Sequence, residues 1–434
     1  MMSSLSVARL ARAVGQSCAR ASYIKKSHKA LTAACIKLHN RNLSADANVE
    51  HIFRASIPDV EIPNKDVFNL LYSRSRSWGD KDAIECGLTG RKYTYNELMD
   101  ASLRWGAALK KILPGLGTVA VMSPNCPEYP ILLLGTVAVG GTVTTISPSY
   151  VKAEVARQLE NADAEVIVVD ASLESLVIGA CEQLQKSLPI LVLGTSSAGN
   201  PNIIELLTDK SAPLVEPKEN PLDSIGFIPY SSGTTGLPKG VAISQGALAA
   251  NLVCFTNPIV WPLKDASGGE QSTVIGVLPF YHIYGLHIIT MMTLYSGGKI
   301  ISLPTFTPQD YLRIIKDHKV DVLHLVPPIL NFLVYHPSVT PDILTSVNSI
   351  FCGAAPVPAA SAAKFKEKTK PDVIFQEGFG MTEVLGSHMT PVDDVRLGFC
   401  GKPIPNTEVK VVDIETGKSL PAGERGEMCI RGPQ

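Results

Sequence analysis

Two hydrophobic rhythms alternate along this chain. Short, mainly apolar runs at 119–122, 166–169, 190–193, 225–228, 273–278, 299–303, 320–325, 349–352 and 373–376 predict buried strands. Between them, apolar positions at helical spacing predict helices over 66–78, 153–161, 246–255, 286–294 and 308–318. A strand-helix alternation of this kind implies α/β units with doubly wound, mostly parallel sheets. The polar, Pro-bearing stretch 194–222 separates a first unit, 57–222, from a second, 223–395. From Arg396 onward short strands at 408–412 and 427–431, parted by Gly417 and Pro421-Ala422-Gly423-Glu424, predict a partial β subdomain over 396–434.

Two local patterns refine this picture. Tyr93-Thr94-Tyr95-Asn96-Glu97-Leu98 joins a strand to a helix, with Asn96 as the expected cap. The run 131–146 is apolar enough to suggest a membrane span, but Gly135, Gly140, Gly141 and several threonines break it, so it predicts a buried helix followed by a strand.

Composition bounds the function. A chain of 434 residues, 45% hydrophobic, exceeds one ordinary domain and can bury a large core. Its formal net charge of -1 gives no electrostatic case for nucleic acid. Nine scattered cysteines without a C-x-x-C pair indicate neither a disulfide framework nor a zinc site and suit a reducing compartment. The first forty-five residues differ: Arg9, Arg12, Arg20, Lys25, Lys26, Lys29, Lys37 and Arg41 stand among Ala, Ser and Leu with no acidic residue before Asp46. This is the composition of a mitochondrial transit peptide, expected over 1–43 with Ser44 as the new N-terminus and 44–434 as the mature chain. A disordered basic tail is the alternative, with a peroxisomal or cytoplasmic location.

The densest candidate chemistry follows the 225–228 run, in Tyr230-Ser231-Ser232-Gly233-Thr234-Thr235-Gly236-Leu237-Pro238-Lys239-Gly240-Val241. Glycines let backbone N–H groups approach an anion, hydroxyls add donors, and Lys239 adds a mobile positive charge, so the loop suits phosphate. It is not a Walker A loop, because Gly240 rather than Ser or Thr follows Lys239. A lone GTTG would equally be a surface turn. The twelve residues together resemble the phosphate loop of the adenylate-forming superfamily, which includes acyl-CoA synthetases, 4-coumarate-CoA ligases and beetle luciferases.

Other segments resemble further motifs of that superfamily, and the resemblance covers nearly everything from Ile57 onward. Leu278-Pro279-Phe280-Tyr281-His282-Ile283-Tyr284-Gly285 resembles L-P-x-F-H-x-x-G, whose His borders the acyl pocket and the thiol route. Taken alone His282 would read as a core histidine; the resemblance implies a catalytic one, with Tyr284 and Ile288 lining the acid pocket. Gly353-Ala354-Ala355-Pro356 resembles G-A-A-P, which presents backbone to adenine. Gln376-Glu377-Gly378-Phe379-Gly380-Met381-Thr382-Glu383 resembles Q-G-Y-G-M-T-E, in which the aromatic ring lies against adenine, Thr serves the α-phosphate and Glu holds Mg²⁺.

The resemblance therefore implies ATP, Mg²⁺ and coenzyme A acting on a small-molecule carboxylic acid, fatty or aryl, through an acyl-adenylate to a thioester. It implies nucleotide contacts from Ser231, Ser232, Gly233, Thr234, Thr235, Gly236, Lys239, Gly353, Ala354, Ala355, Glu377, Gly378, Phe379, Gly380, Met381 and Thr382. Catalytic roles fall to Lys239, His282, Thr382 and Glu383, acid contacts to His282, Tyr284, Ile288, Gly378 and Gly380, and the metal to Glu383 and Thr234. Two departures stand out: Phe379 replaces the commoner Tyr, and Glu377 stands where Gln is usual, an acceptor that could take a hydrogen bond from adenine N6. The family's T-G-D segment, hinge and C-terminal lid with its lysine are not found before Gln434, so the chain reads as the large N-terminal domain. A nucleotide- and acid-binding form without turnover and a luciferase-like oxygenase are the alternatives.

Overall fold

The computed structural model describes residues 50–231, 236–394 and 396–434. Residues 1–49, which include the segment expected to be a transit peptide, and Ser232, Gly233, Thr234, Thr235 and Val395 lie outside the described residues.

The main body comprises Phe53–Glu408 with Ile430–Gln434. It holds two large sheets. One has six strands in the order Ile243–Ser244, Ile225–Ile228, Thr142–Ile146, Thr118–Met122, Ala164–Asp170, Ile190–Leu193, parallel except at the first pair. The other has nine, in the order Lys402–Pro403, Leu385–Met389, Ile374–Met381, Ser349–Cys352, Val322–Leu325, Thr273–Gly276, Lys299–Ser302, Asp82–Cys86, Lys92–Thr94. Its centre is parallel and its edges are antiparallel hairpins. The expected doubly wound α/β architecture is observed. The expected division at 222/223 does not follow the sheets: the 82–86 and 92–94 strands join the second sheet, while 225–228 and 243–244 return to the first. Strand pairing, which satisfies backbone polar groups across long sequence distances, overrides order along the chain.

The 131–146 run is a helix, Glu128–Ala138, followed by the Thr142–Ile146 strand, as its glycines imply. Gly135 lets that helix lie against the Tyr95–Ile112 helix, since a Cβ there would stand 2.2 Å from the Ser102 carbonyl oxygen. Among the described residues no helix is long and apolar enough to cross a membrane. The cap of the Tyr95–Ile112 helix is Thr94 rather than Asn96: the Thr94 hydroxyl accepts from Glu97 N–H, and the Glu97 carboxylate accepts from Thr94 N–H. The helix expected over 66–78 is Val67–Ser75, with Asp66 as its cap.

Among the elements not expected are the Ile203–Thr208, Pro327–Tyr335 and Ala359–Lys366 helices and the Asp82–Cys86 and Leu385–Met389 strands. The apolar helix near 286–294 starts as a π-helix, Tyr284–Met291, and finishes as an α-turn, Met292–Tyr295. Gly285 permits it, because a Cβ there would meet the Pro279 carbonyl oxygen at 2.0 Å, and the Thr290 hydroxyl closes it by donating to the Gly285 carbonyl at 2.7 Å.

The second, small unit contains Val409–Cys429. Here Val411 and Val412 pair antiparallel with Leu420 and Ser419 around a turn in which the Asp413 carboxylate accepts from Glu415 and Thr416 N–H. The β texture expected from 396 is therefore confined to a shorter unit, and 396–408 belong with the main body.

Candidate functional site

Three chain segments meet at the ends of parallel strands in the main body. The first is a ribbon, Tyr230–Ser231 paired antiparallel with Lys239–Gly240, which extends the Ile225–Ile228 strand past its carboxyl end. The register sets Lys239 opposite Ser231. The second is the turn after Thr273–Gly276, held by Asn125: its amide donates to the Gly276 and Leu278 carbonyls at 3.0 and 2.9 Å, and its oxygen accepts from Phe280 N–H at 2.8 Å. That clamp fixes the approach to His282. The third is the hairpin of Ile374–Met381 with Leu385–Met389, beside the Gly353-Ala354 turn that ends Ser349–Cys352. Gly380 closes the hairpin, since a Cβ there would lie 2.3 Å from the Leu385 carbonyl oxygen.

These segments line one cavity of about 490 Å³. Ser231, Lys239, His282, Tyr284, Ile288, Gly353, Ala354, Gly378, Phe379, Gly380, Met381, Thr382 and Glu383 all contribute to its wall. The lysine-bearing turn, the imidazole and the aromatic-threonine-glutamate cluster are thus brought together. The Ser231 hydroxyl donates to Glu383 Oε1 at 3.1 Å, joining ribbon to hairpin. Lys239 is exposed and, among the described residues, has no carboxylate partner, leaving its ammonium available to an anion. Thr382 is buried and its hydroxyl has no described protein partner.

His282 Nδ1 accepts from Tyr284 N–H at 3.3 Å, which leaves the proton of the neutral ring on Nε2. Burial lowers its pKa below the ordinary value, favouring that neutral form. The Phe379 ring stands edge-on to His388, centroids 5.7 Å apart. The Tyr284 hydroxyl donates to the Phe351 carbonyl at 3.4 Å. Cys352 also lines the wall, but burial pushes its thiol up to about 12, so it is no nucleophile.

Three expected contacts are corrected. Glu377 does not line the cavity: it is buried, and its carboxylate accepts from Gly398 N–H at 2.6 Å, the donor that satisfies it there. It fastens the 398 loop instead of facing adenine. Ala355 and Gly236 are exposed and do not line the cavity. Ala354, with φ 66°, turns the chain so that the wall ends with it.

Sequence reasoning missed Phe255, His287, Gly386, His388 and Met389 in the lining. Phe255 ends the helix expected over 246–255, to which no site role was assigned. The other four sit on the π-helix and on the unexpected strand, where neither an α-helical period nor a motif marks them.

A family model for AMP-binding enzymes matches residues 71–434. The 4-coumarate-CoA ligase 3 of Oryza sativa subsp. japonica is 33% identical over 395 residues, covering 88% of this chain and 69% of the relative. The crystal structure of ATP-bound MatB from Rhodopseudomonas palustris, 27% identical, superposes with a TM-score of 0.75 over 85% of this chain and 70% of that one. A long-chain-fatty-acid-CoA ligase from Archaeoglobus fulgidus shares the fold at 23% identity, with a TM-score of 0.76 over 88% of this chain and 77% of its own. With the family model spanning every described residue of the cavity wall and the rice relative matched over 88% of the chain, the protein belongs to the adenylate-forming family of AMP-binding enzymes.

Proposed function

We propose that this cleft activates a carboxylic acid with ATP and passes the acyl group to coenzyme A. The acid's carboxylate oxygen attacks the α-phosphorus, the bond to the bridging oxygen breaks and pyrophosphate leaves. The thiol of coenzyme A then attacks the acyl carbon and AMP departs. Neither step needs covalent chemistry from the protein, so its part is positioning and charge stabilisation. Lys239 and the Ser231 hydroxyl serve the β- and γ-phosphates, a role that the loop sequence extends to Ser232, Thr234 and Thr235. Thr382 donates to an α-phosphoryl oxygen, Phe379 and the Gly353-Ala354 backbone flank adenine, and neutral His282 guards the junction between acid and thiol.

The donor set fits Mg²⁺. Glu383 offers an exposed carboxylate, and among the described residues no group of three acidic, His or Cys side chains could cage a metal alone. One carboxylate completed by substrate phosphates is the usual environment of this ion. Glu383 would hold it, with Thr234 nearby in the loop sequence, and it would supply neutralising charge at the phosphates.

The observation that carries this reading is the convergence of Lys239, His282, Phe379, Thr382 and Glu383 on one cavity. Acid-dependent pyrophosphate exchange tests it. Thr382→Ala and Glu383→Ala are each expected to lower the exchange rate on the order of 100-fold, the loss seen when one such donor is removed. Wild-type exchange in both variants would refute the assignment.

For residues 1–43 the reading that their composition supports is mitochondrial delivery. Fused to a fluorescent protein, they are expected to carry it into mitochondria and leave Ser44 as the new N-terminus; a diffuse cytosolic reporter would overturn this.

A further inference from the structure

We propose that Asn125 and Thr145 are positioning residues for the acyl-transfer step: rooted in the first sheet, they hold the turn of the second sheet that carries His282 to the junction of acid and thiol. The inference rests on the acid-activating function above and separates its two half-reactions.

Both residues are buried at the carboxyl ends of neighbouring parallel strands. Asn125 follows Thr118–Met122, and Thr145 lies near the end of Thr142–Ile146. Their bonds cross to the nine-stranded sheet. The two bonds that the Asn125 amide donates, to the Gly276 and Leu278 carbonyls, and the one it accepts from Phe280 N–H use both its protons and its oxygen. The Thr145 hydroxyl donates to the Tyr281 carbonyl at 2.7 Å. All four bonds fall within 276–281, the six residues that lead into His282.

The anchors are themselves braced. Gln158 Nε2 donates to the Thr144 hydroxyl and to the Thr145 carbonyl, each at 3.0 Å. The helix that follows Asn125 begins with Glu128, fully buried, whose carboxylate accepts from the Tyr93 hydroxyl at 2.9 Å and from Arg91 at 2.8 Å. Tyr129 of the same helix stands edge-on to Phe280, centroids 5.8 Å apart. His282 has no such hold of its own. Among the described residues its ring makes one hydrogen bond, with Tyr284 N–H in its own segment, so its place in the cavity follows the turn.

The groups assigned to the phosphates are positioned without this turn. Lys239 is set by its pairing with Ser231, and Thr382 and Glu383 by the hairpin of Ile374–Met381 with Leu385–Met389. Loosening the turn therefore moves His282 and leaves the adenylating groups in place. A displacement of about 1 Å in a positioned group can cost on the order of 100-fold in rate.

The test uses the whole chain with Mg²⁺, and hexanoate and cinnamate as the acids. Pyrophosphate exchange reads the first half-reaction, and thioester formation from synthetic hexanoyl-adenylate or cinnamoyl-adenylate with coenzyme A reads the second. Thr145→Val keeps the side chain's shape and removes one donor; it is expected to slow thioester formation about tenfold or more while exchange stays within about threefold of wild type. Thr145→Ser keeps the hydroxyl and is expected to retain the wild-type rate of thioester formation. Asn125→Asp keeps the acceptor, removes both donors and is expected to show the same split more strongly; should it fail to fold, the Thr145 pair decides. Equal losses in both half-reactions, as a merely structural role would give, or a wild-type thioester rate in Thr145→Val, overturns the proposal while leaving acid activation standing. A wild-type chain that exchanges pyrophosphate but makes no thioester from either adenylate overturns the acyl-transfer step and this inference with it, and one that does neither overturns the acid-activating reading as a whole.

Discussion

His324 shows what a single side chain can do to this fold. It is fully buried on the Val322–Leu325 strand, stacked on Phe351 with centroids 4.9 Å apart, and neither ring nitrogen has a partner among the described residues. Burial brings its pKa to about 3, as it does for His287, and that of His388 to about 4. Each value lies below that of an unfolded histidine, about 6.5. Between those limits the unfolded chain binds protons that the folded chain refuses, so the stability is fully present above about pH 6.5 and is lost as pH falls below it. Each such histidine contributes a slope of up to about 1.4 kcal/mol per pH unit. Urea unfolding followed from pH 7 to pH 5 is expected to show the midpoint falling, and His324→Phe is expected to flatten that fall. Because the substitution also removes two unpaired polar atoms, it is expected to stabilise the protein at pH 7 by about 1 to 3 kcal/mol; a destabilised variant with an unchanged pH slope would contradict the argument. At this scale the sequence was an uneven guide. Lys239, Phe379, Thr382 and Glu383 were visible because their motifs are continuous in the chain. His287 and His388 were not, since a histidine inside an apolar stretch looks the same whether it faces a core or a cavity.

Elements were legible where local chemistry alone decides them. The Ile190–Leu193 and Ser349–Cys352 strands have the bounds expected from their apolar runs. The start of the Tyr95–Ile112 helix was misjudged because two candidate residues, Thr94 and Asn96, compete there, and the reciprocal bonding of Thr94 with Glu97 outweighs a lone Asn. Thr94→Ala is therefore expected to cost about 1 kcal/mol in urea unfolding, the usual worth of such a cap. The π-helix was out of reach for a different reason: its wider turn depends on the contact between Gly285 and the Pro279 carbonyl, not on composition. Gly285→Ala forces a Cβ into that carbonyl and should shift Tyr284, His287 and Ile288 together. The expected result is at least about a tenfold loss of acid affinity, with binding of an ATP analogue retained, measured by calorimetry on one sample. Loss of both ligands together would mean that the π-helix supports the whole cleft.

At the level of the whole molecule, the pattern of strands announced α/β sheets but could not say which strand joins which sheet. Hydrophobic period marks a strand as buried and carries no address; the address comes from pairing and from packing formed late and at long range. The consequence is an interlocked main body. Asp82–Cys86 lies parallel to Lys299–Ser302, with Ile84 beside Ile300, and Lys299 ion-pairs with both Asp82 and Glu85 at 2.8 and 2.7 Å. In return, Ile225–Ile228 completes the first sheet against Thr142–Ile146, pairing Phe227 with Val143. A chain cut at the 222/223 junction would deprive each sheet of two strands and expose apolar faces now buried. Residues 57–222 produced alone are therefore expected to lack dispersed amide signals in NMR spectra and to aggregate. Co-expression with 223–434 should recover a soluble complex that binds nucleotide. Independent folding of the first fragment would show that its four remaining parallel strands, Thr142–Ile146, Thr118–Met122, Ala164–Asp170 and Ile190–Leu193, suffice for a core, and that the exchanged strands serve only to align the ribbon of Lys239 with the hairpin of Thr382.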